Sequence, residues 1–298
     1  MNVLSLFNGM SVGRMALEAL NVDVGTYYSS EIDKYATQAT QALYPDTVQL
    51  GDVTKWREWN IDWSSIDLVT GGFPCQAWSM AGKQLGDKDE RGMLFWTMLD
   101  IMKHVKYHNP KADFLIENVK MKKEFEQYIT THTENALGHV HKILINSALV
   151  SAQNRNRYYW ASFQVEQPED RGILLKDILL SSVDDKWLHT KQAISYMNRV
   201  GATGRVKWSY MFHSEETKQK SQCVTSNFLK GVPNNVLVTK DNKIRKFTPR
   251  ECMRLQTVPE HHIDTLLSAG ISNTQLYKMT GNAWTMEVVK HIFKGITQ

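Results

Sequence analysis

Apolar runs of strand length alternate with stretches of helical period over the first about 120 residues, and this alternation limits the fold more than any other feature of the chain. Residues 3–6 read as a short buried strand. The turn Phe7-Asn8-Gly9-Met10-Ser11-Val12-Gly13 follows, then an amphipathic helix whose apolar spacing comes from Val12, Met15, Ala16, Ala19 and Leu20. A strand before Glu31, a helix over about 34–43, a strand before Asp52 and a strand over 66–70 come next. A strong helix covers 90–107, with Leu94, Met98, Ile101, Met102 and Val105 on one face, and residues 113–116 return to strand. The expected fold is α/β: a doubly wound, mostly parallel, Rossmann-like sheet.

Two further strand candidates, 142–146 and 157–163, flank Gln153-Asn154-Arg155-Asn156-Arg157. Beyond Pro168 the alternation stops. Residues 169–243 mix short apolar runs with Gly201, Gly204, Gly231 and Pro233, the pattern of a smaller, irregular second domain. Helical signals return at Thr248-Pro249-Arg250-Glu251, where Thr caps, Pro opens the helix and Glu completes a capping box. The expected organisation is a first domain over 1–168, completed by 244–298, with 169–243 inserted.

The length and the 42% hydrophobic content support a large core. No apolar run approaches the roughly 20 residues that span a membrane, and the first residues lack a signal-peptide pattern, so the expectation is a cytoplasmic protein without membrane contact. Cys75, Cys223 and Cys252 are too few and too scattered for a disulfide framework or a zinc cluster. The net charge is only +4, and residues 169–243 carry the whole excess, with 12 Lys+Arg against 8 Asp+Glu. That surplus fits a polyanionic partner and an ordinary solvated surface equally well.

Chemistry concentrates at strand ends. In Gly71-Gly72-Phe73-Pro74-Cys75-Gln76 a thiol follows a rigid turn where a strand has just ended, the place where open α/β sheets gather ligands, so Cys75 is a candidate nucleophile. A zinc deaminase would need a second cysteine at position 78, which is Trp78. Glu117, in Ile116-Glu117-Asn118-Val119, ends another strand and can hold or deliver a proton in the same crevice. Gly9 and Gly13 let backbone approach a ligand, although Ser11 stands where a dinucleotide fold has its second glycine. Glu31, at the second strand's end, suits a ribose diol, and Asp52, after the third, suits an adenine amino group. Their joint placement points to an adenosine-bearing ligand.

With these motifs the chain resembles the DNA cytosine-5 methyltransferases. The resemblance runs, in the family's order, through Phe7-Asn8-Gly9, Gly72-Phe73-Pro74-Cys75-Gln76, Glu117-Asn118-Val119, Gln153-Asn154-Arg155-Asn156-Arg157, Thr248-Pro249-Arg250-Glu251-Cys252 and Gly281-Asn282. It implies that the Cys75 thiolate adds to cytosine carbon 6 while Glu117 protonates or hydrogen-bonds ring nitrogen 3. Carbon 5 then takes a methyl group from S-adenosylmethionine. Arg157 would contact the cytosine carbonyl oxygen and Arg155 would organise the cysteine loop and substrate. If their stretch is extended, alternation puts both arginines on one face.

The resemblance further implies a methyl-donor pocket from Phe7, Asn8, Gly9, Met10, Ser11, Gly13, Glu31, Ile32, Asp52, Val53, Pro74, Leu94, Asn282, Ala283 and Trp284. Asn8 and Ser11 depart from the family's commonest pattern, which affects the loop contacts rather than the cofactor. Double-stranded DNA is the implied partner, with base flipping into the crevice and with Gln76, Ser79, Lys83 and Arg91 of the loop after Cys75 as DNA contacts. Residues 169–243 occupy the place of a target-recognition domain, where Lys207, Trp208, Tyr210, His213, Lys218, Lys220, Asn227 and Lys230 offer phosphate and base contacts. The expected enzyme is a monomer from a bacterium or phage, in a restriction–modification setting. No metal is implied, and His104/His108 and His139/His141 read as structural or solvated pairs. An RNA cytosine-5 methyltransferase would use the same cysteine, glutamate and arginine. A DNA-binding regulator without catalysis would have no chemical reason to retain all three.

Overall fold

The computed structural model describes residues 1–74, 92–202, 212–214, 219–228 and 235–296. The chain divides into two compact units, one of Met1–Asn146, Asn156–Pro168 and Val288–Gln298, the other of Ser147–Arg155 and Glu169–Glu287.

In the first unit the chain runs β1 (Val3–Leu6), α1 (Val12–Glu18), β2 (Tyr27–Ser30), α2 (Lys34–Leu43), β3 (Val48–Gln49), β4 (Leu68–Gly71), α3 (Leu94–His108), β5 (Asp113–Val119), α4 (Lys123–Leu137) and β6 (His141–Asn146). β7 (Gln153–Asn154) lies in the second unit and β8 (Asn156–Ala161) returns to the first. One seven-stranded sheet has the order β3-β2-β1-β4-β5-β8-β6. The pairs from β3 to β5 are parallel, and β8 runs antiparallel to both its neighbours. Strand order reverses between β1 and β4, because the chain first winds outward through β2 and β3 and then crosses to the other side. Such a switch point opens a crevice at the strands' carboxyl ends.

Alternate residues Leu4, Leu6, Val69, Phe114 and Ile116 share a core with Phe95, Met98, Ile101, Met102 and Val105 of α3. A strand alternating in steps of two thus meets a helix stepping by three and four. Gly71 belongs to this contact: a Cβ there would stand 2.7 Å from Met98 Sδ. β5 runs past Glu117 to Val119, three residues beyond the strand expected over 113–116, because β8 pairs with it there, Glu117 opposite Tyr159 and Val119 opposite Arg157. The helix expected over 90–107 runs over Leu94–His108, with Met93 as its N-cap and a turn at 92–93; residues 90 and 91 lie outside the described residues. Among the described residues no helix is long and apolar enough to cross a membrane.

The second unit continues with α5 (Lys191–Ala202), β9 (Phe212–Ser214), β10 (Ser221–Gln222), β11 (Val236–Val238), β12 (Ile244–Arg245), α6 (Pro249–Leu255), α7 (Glu260–Ser268) and α8 (Asn273–Asn282); α9 (Met286–Phe293) leads back to the first. Its small sheets, β12-β11-β9 and β10-β7, cover a core of Ala152, Leu175, Val224, Phe228, Leu237, Phe247, Cys252, Leu255 and Tyr277. Residues from both sides of position 244 share this core, so 244–287 cluster with 169–243. α6 opens as its sequence signals: Thr248 Oγ1 accepts from Glu251 N and Glu251 Oε2 from Thr248 N. The same carboxylate receives both terminal nitrogens of Arg245 at 2.9 Å, in a pair with no solvent exposure on either side chain.

Candidate active site

At the carboxyl ends of β1 and β2, Phe7, Gly9 and Ser11 all take left-handed backbone angles, with φ of 56°, 59° and 62°. Only glycine adopts these without steric cost, so the surroundings hold Phe7 and Ser11 there. Asn8 Nδ2 donates to Ser11 Oγ at 2.8 Å and to Thr40 Oγ1 at 3.1 Å, and the two hydroxyls lie 2.9 Å apart. Tyr27 OH donates to Asn8 Oδ1. The two positions that depart from the family's commonest pattern therefore brace one another. Met10, Ser11 and Gly13 are buried beneath the turn, while an ideal Cβ on Gly9 meets nothing within 4 Å. The backbone of Gly9 faces open space.

Glu31 is held by three backbone amides. Its Oε2 accepts from Gly9 N, and its Oε1 from Ile32 N and Asp33 N, each at 2.8 Å. Ile32 beside it is 79% exposed, an unusual setting for a large apolar side chain at a strand end. Asp52 accepts from both the amide and the hydroxyl of Thr54 through Oδ1. The amide bond first, and then the hydroxyl, hold its carboxyl below the usual range. Val53 is buried, and Pro74 and Leu94 are half-buried.

At the ends of β5 and β8, Glu117 and Arg157 pair, Arg157 Nε lying 3.0 Å from Glu117 Oε1 with side chains 11% and 14% exposed respectively. Antiparallel pairing of β5 with β8 brings together two residues 40 positions apart. Arg157 also donates to Asn156 O. The next residue of β5, Asn118, donates from Nδ2 to Phe73 O at 3.1 Å and accepts from Val119 N at 2.8 Å. The sequence alone marked this asparagine only as part of a motif. Cys75, Gln76, Ser79, Lys83 and Arg91 lie outside the described residues, as do Lys207, Trp208, Tyr210, Lys218 and Lys230.

Arg155 differs from Arg157. The strand is interrupted between β7 and β8 at this residue, so one alternating run does not carry both arginines. Arg155 is 2% exposed, and within the second unit its guanidinium donates to Val224 O, Ala283 O and Gly281 O and approaches Cys223 Sγ at 3.1 Å. Gly281 is required beside it: a Cβ there would stand 2.1 to 2.3 Å from the Thr225–Ser226 backbone. Asn282 ends α8 exposed, followed by buried Ala283 and half-buried Trp284. Cys252 is fully buried, and burial pushes its thiol well above the ordinary range, so it is a core residue rather than a nucleophile. His213, in β9, is buried against Asn235. The histidine rings of 104 and 108, and of 139 and 141, pack on each other.

A doubly wound sheet with a crevice at its switch point, an anchored carboxylate at β2 and a glutamate–arginine pair at β5 and β8 defines a Rossmann-like methyltransferase fold. Solved structures of that fold match over the whole chain: the DNMT2 of Spodoptera frugiperda at 19% identity and TM-score 0.73, and the methyltransferase EhMeth of Entamoeba histolytica at 15% and 0.76, each covering 100% of this chain and 99% of the other. The family model for C-5 cytosine-specific DNA methylase matches residues 1–298, and the chain belongs to that family. Among curated relatives, the Type II methyltransferase M1.ScrFI of Lactococcus lactis subsp. cremoris is 31% identical over 97% of this chain and 76% of its own length. M.NlaX of Neisseria lactamica is 30% identical over 97% and 94%, and M.HhaI of Haemophilus parahaemolyticus 29% identical over 97% and 92%.

Proposed function

We propose that this cytosine-5 DNA methyltransferase takes its methyl group from S-adenosylmethionine and transfers it to a cytosine flipped out of double-stranded DNA, through a covalent bond to Cys75. The observation that carries the reading is the Glu117–Arg157 pair at 3.0 Å, on the strand neighbouring the one that leads into Pro74 and Cys75. A carboxyl group and a guanidinium presented together fit the edge of a cytosine ring, with its nitrogen 3 and carbonyl oxygen 2.

The Cys75 thiolate adds to carbon 6, and Glu117 hydrogen-bonds or protonates nitrogen 3 as electron density moves into the ring. Arg157 holds Glu117 and the carbonyl oxygen in one plane. S-adenosylmethionine, when bound, would supply an electrophilic methyl group to carbon 5, its sulfonium leaving as the neutral thioether S-adenosylhomocysteine. Loss of the carbon 5 proton to a base then returns the bonding pair to the ring and expels the Cys75 thiolate.

The residues at the ends of β1 to β3 fit an adenosine-bearing donor. Glu31, locked by three amides, suits the ribose diol; exposed Ile32 offers an apolar face to adenine; ionised Asp52 suits its amino group; and the open backbone at Gly9 admits the amino-acid end. Met10, Ser11, Gly13 and Val53 support this cradle from beneath, with Phe7, Pro74 and Leu94 at its wall. Residues 169–243 serve as the target-recognition region, and Gln76, Ser79, Lys83 and Arg91 contact DNA around the vacated base. Arg155 acts at a distance, by tying together the carbonyls of residues 224, 281 and 283. Action as a monomer belongs to the same reading.

The test is transfer of labelled methyl from S-adenosylmethionine to unmethylated DNA, with tRNA as parallel substrate and Cys75→Ala as control. Labelling of DNA that disappears in the control is the expected result. Labelling of tRNA alone, or of neither, overturns the proposal.

A further inference from the structure

We infer that Thr40 is a positioning residue for the methyl donor, on the reading of the donor site proposed above: its side-chain hydroxyl holds the turn 7–11 in the left-handed form that glycine would adopt unaided.

Ser11 stands at φ 62° and is wholly buried. A left-handed backbone disfavours a residue with a Cβ by about 5- to 30-fold in population, so contacts elsewhere must offset the cost. A serine just before a helix ordinarily caps it, its oxygen accepting an amide of the first turn. Ser11 makes no such bond to α1. Its hydroxyl instead lies 2.8 Å from Asn8 Nδ2 and 2.9 Å from Thr40 Oγ1.

Thr40 meets the turn at three points. Its Oγ1 accepts from Asn8 Nδ2 at 3.1 Å, lies 2.9 Å from Ser11 Oγ and donates to Gly9 O at 3.2 Å. A hydroxyl offers one proton and two lone pairs. Every contact is served when the Ser11 hydroxyl donates to Thr40, Thr40 donates to Gly9 O, and the two Asn8 amide protons go to Ser11 and Thr40. Tyr27 OH fixes the remaining Asn8 atom by donating to Oδ1. Threonine inside a helix commonly bonds back to a carbonyl of its own preceding turn; the contacts of Thr40 run to residues 29 to 32 positions earlier. Thr40 is fully buried and shares the buried side of α2 with Ala36 and Ala39, whose small side chains let the helix approach the turn closely.

The brace extends to Glu31. Gly9, whose carbonyl Thr40 holds, donates its amide to Glu31 Oε2 at 2.8 Å. One buried hydroxyl thus sets both the open backbone at Gly9 and the carboxylate assigned to the ribose diol, and Thr40 itself touches neither donor nor base. Without the hydroxyl the turn populates other conformations, and donor affinity falls in proportion to the fraction that remains competent.

The experiment compares wild type, Thr40→Val, Thr40→Ser, Ser11→Gly and the double variant Thr40→Val with Ser11→Gly. The readouts are calorimetric binding of S-adenosylmethionine and, in the unliganded protein, hydrogen exchange of peptides covering residues 7–13, with thermal unfolding beside them. Thr40→Val is expected to bind the donor about 10-fold more weakly and to exchange faster at the Gly9 and Ser11 amides, which donate to Glu31 and to Asn8 O. Thr40→Ser keeps the hydroxyl and should stay within about twofold of wild type. Glycine at position 11 needs no brace, so the double variant should recover donor affinity to within about threefold of Ser11→Gly alone. A residue that merely fills the core would show no such rescue. Wild-type affinity in Thr40→Val overturns the inference. So does a Thr40→Ser variant as weak as Thr40→Val, a double variant no better than Thr40→Val, or unfolding of Thr40→Val with and without glycine at position 11. Absence of S-adenosylmethionine binding in wild type would instead refute the donor reading, while the exchange readout, which needs no donor, still decides whether Thr40 holds the turn.

Discussion

Replacing Glu251 by Gln should destabilise the second unit far more than the loss of one surface charge would. The Glu251 carboxylate accepts both terminal nitrogens of Arg245 at 2.9 Å, the Thr248 amide at 2.8 Å and the Leu180 amide at 3.0 Å. Both charged side chains are wholly buried. Glutamine keeps the shape and an acceptor oxygen, but it removes the charge and turns a donor toward a guanidinium, leaving the buried Arg245 without its carboxylate. Breaking one partner of such a pair costs about 3–5 kcal/mol. Weakening the capping box adds about 1 kcal/mol. Replacing both partners by apolar residues, as in Arg245→Met with Glu251→Leu, removes the buried charges together and should cost much less than the single changes combined. Urea unfolding of wild type, Arg245→Met, Glu251→Leu and the double variant forms the cycle, with Glu251→Gln measured beside it. A Glu251→Gln loss under about 1 kcal/mol, or additivity across the cycle, would refute the claim that this family motif is a buried electrostatic lock.

Glu117→Gln should lower kcat by about 10²- to 10⁴-fold and leave S-adenosylmethionine binding near wild type, as checked by rapid-quench methylation and calorimetry. Gly9→Val, at a position with φ of 59° and open space before it, should weaken donor binding more than it lowers the melting temperature, measured by calorimetry and thermal unfolding. Gly281→Ala must push the Thr225–Ser226 backbone aside and so disturb the carbonyls that Arg155 holds; a clear fall in melting temperature is expected. Burial, with Lys246 adding to it, depresses the His189 pKa to about 4. Because the folded value lies below the unfolded one of about 6.5, the neutral form's contribution to stability is whole above pH 6.5 and falls as pH drops toward 4. His189→Gln should flatten that part of the pH–stability profile in denaturant titrations.

Much of the fold was legible because its signals are local. The apolar periods of residues 12–20 and 34–43, the strand 3–6 and the capping box at Thr248–Glu251 each appear as the sequence indicates. Those signals need only neighbours within a turn or two. The expected extended run through Arg155 and Arg157 was not legible in the same way. Whether an arginine pairs with a carboxylate or with carbonyls depends on residues far along the chain: Arg157 meets Glu117, while Arg155 meets carbonyls of 224, 281 and 283. The helices α4 and α5 also went unread, as did the clustering of 244–287 with 169–243, which rests on one shared core rather than on any local boundary.

By itself the sequence determined the residue types of the chemistry and the strand ends that carry them: a thiol after Gly-Gly-Phe-Pro, carboxylates at residues 31, 52 and 117, and a glycine turn after the first strand. Tertiary structure alone decided which of these groups meet. The β5–β8 pairing joins Glu117 to Arg157, the Asn8–Ser11–Thr40 brace holds a left-handed turn without glycine at Ser11, and the Asn118 amide reaches Phe73 O beyond the last β4–β5 pair. Element type follows from short-range sterics and period, whereas pairing between residues tens of positions apart is set by sheet register, which no short window of sequence contains.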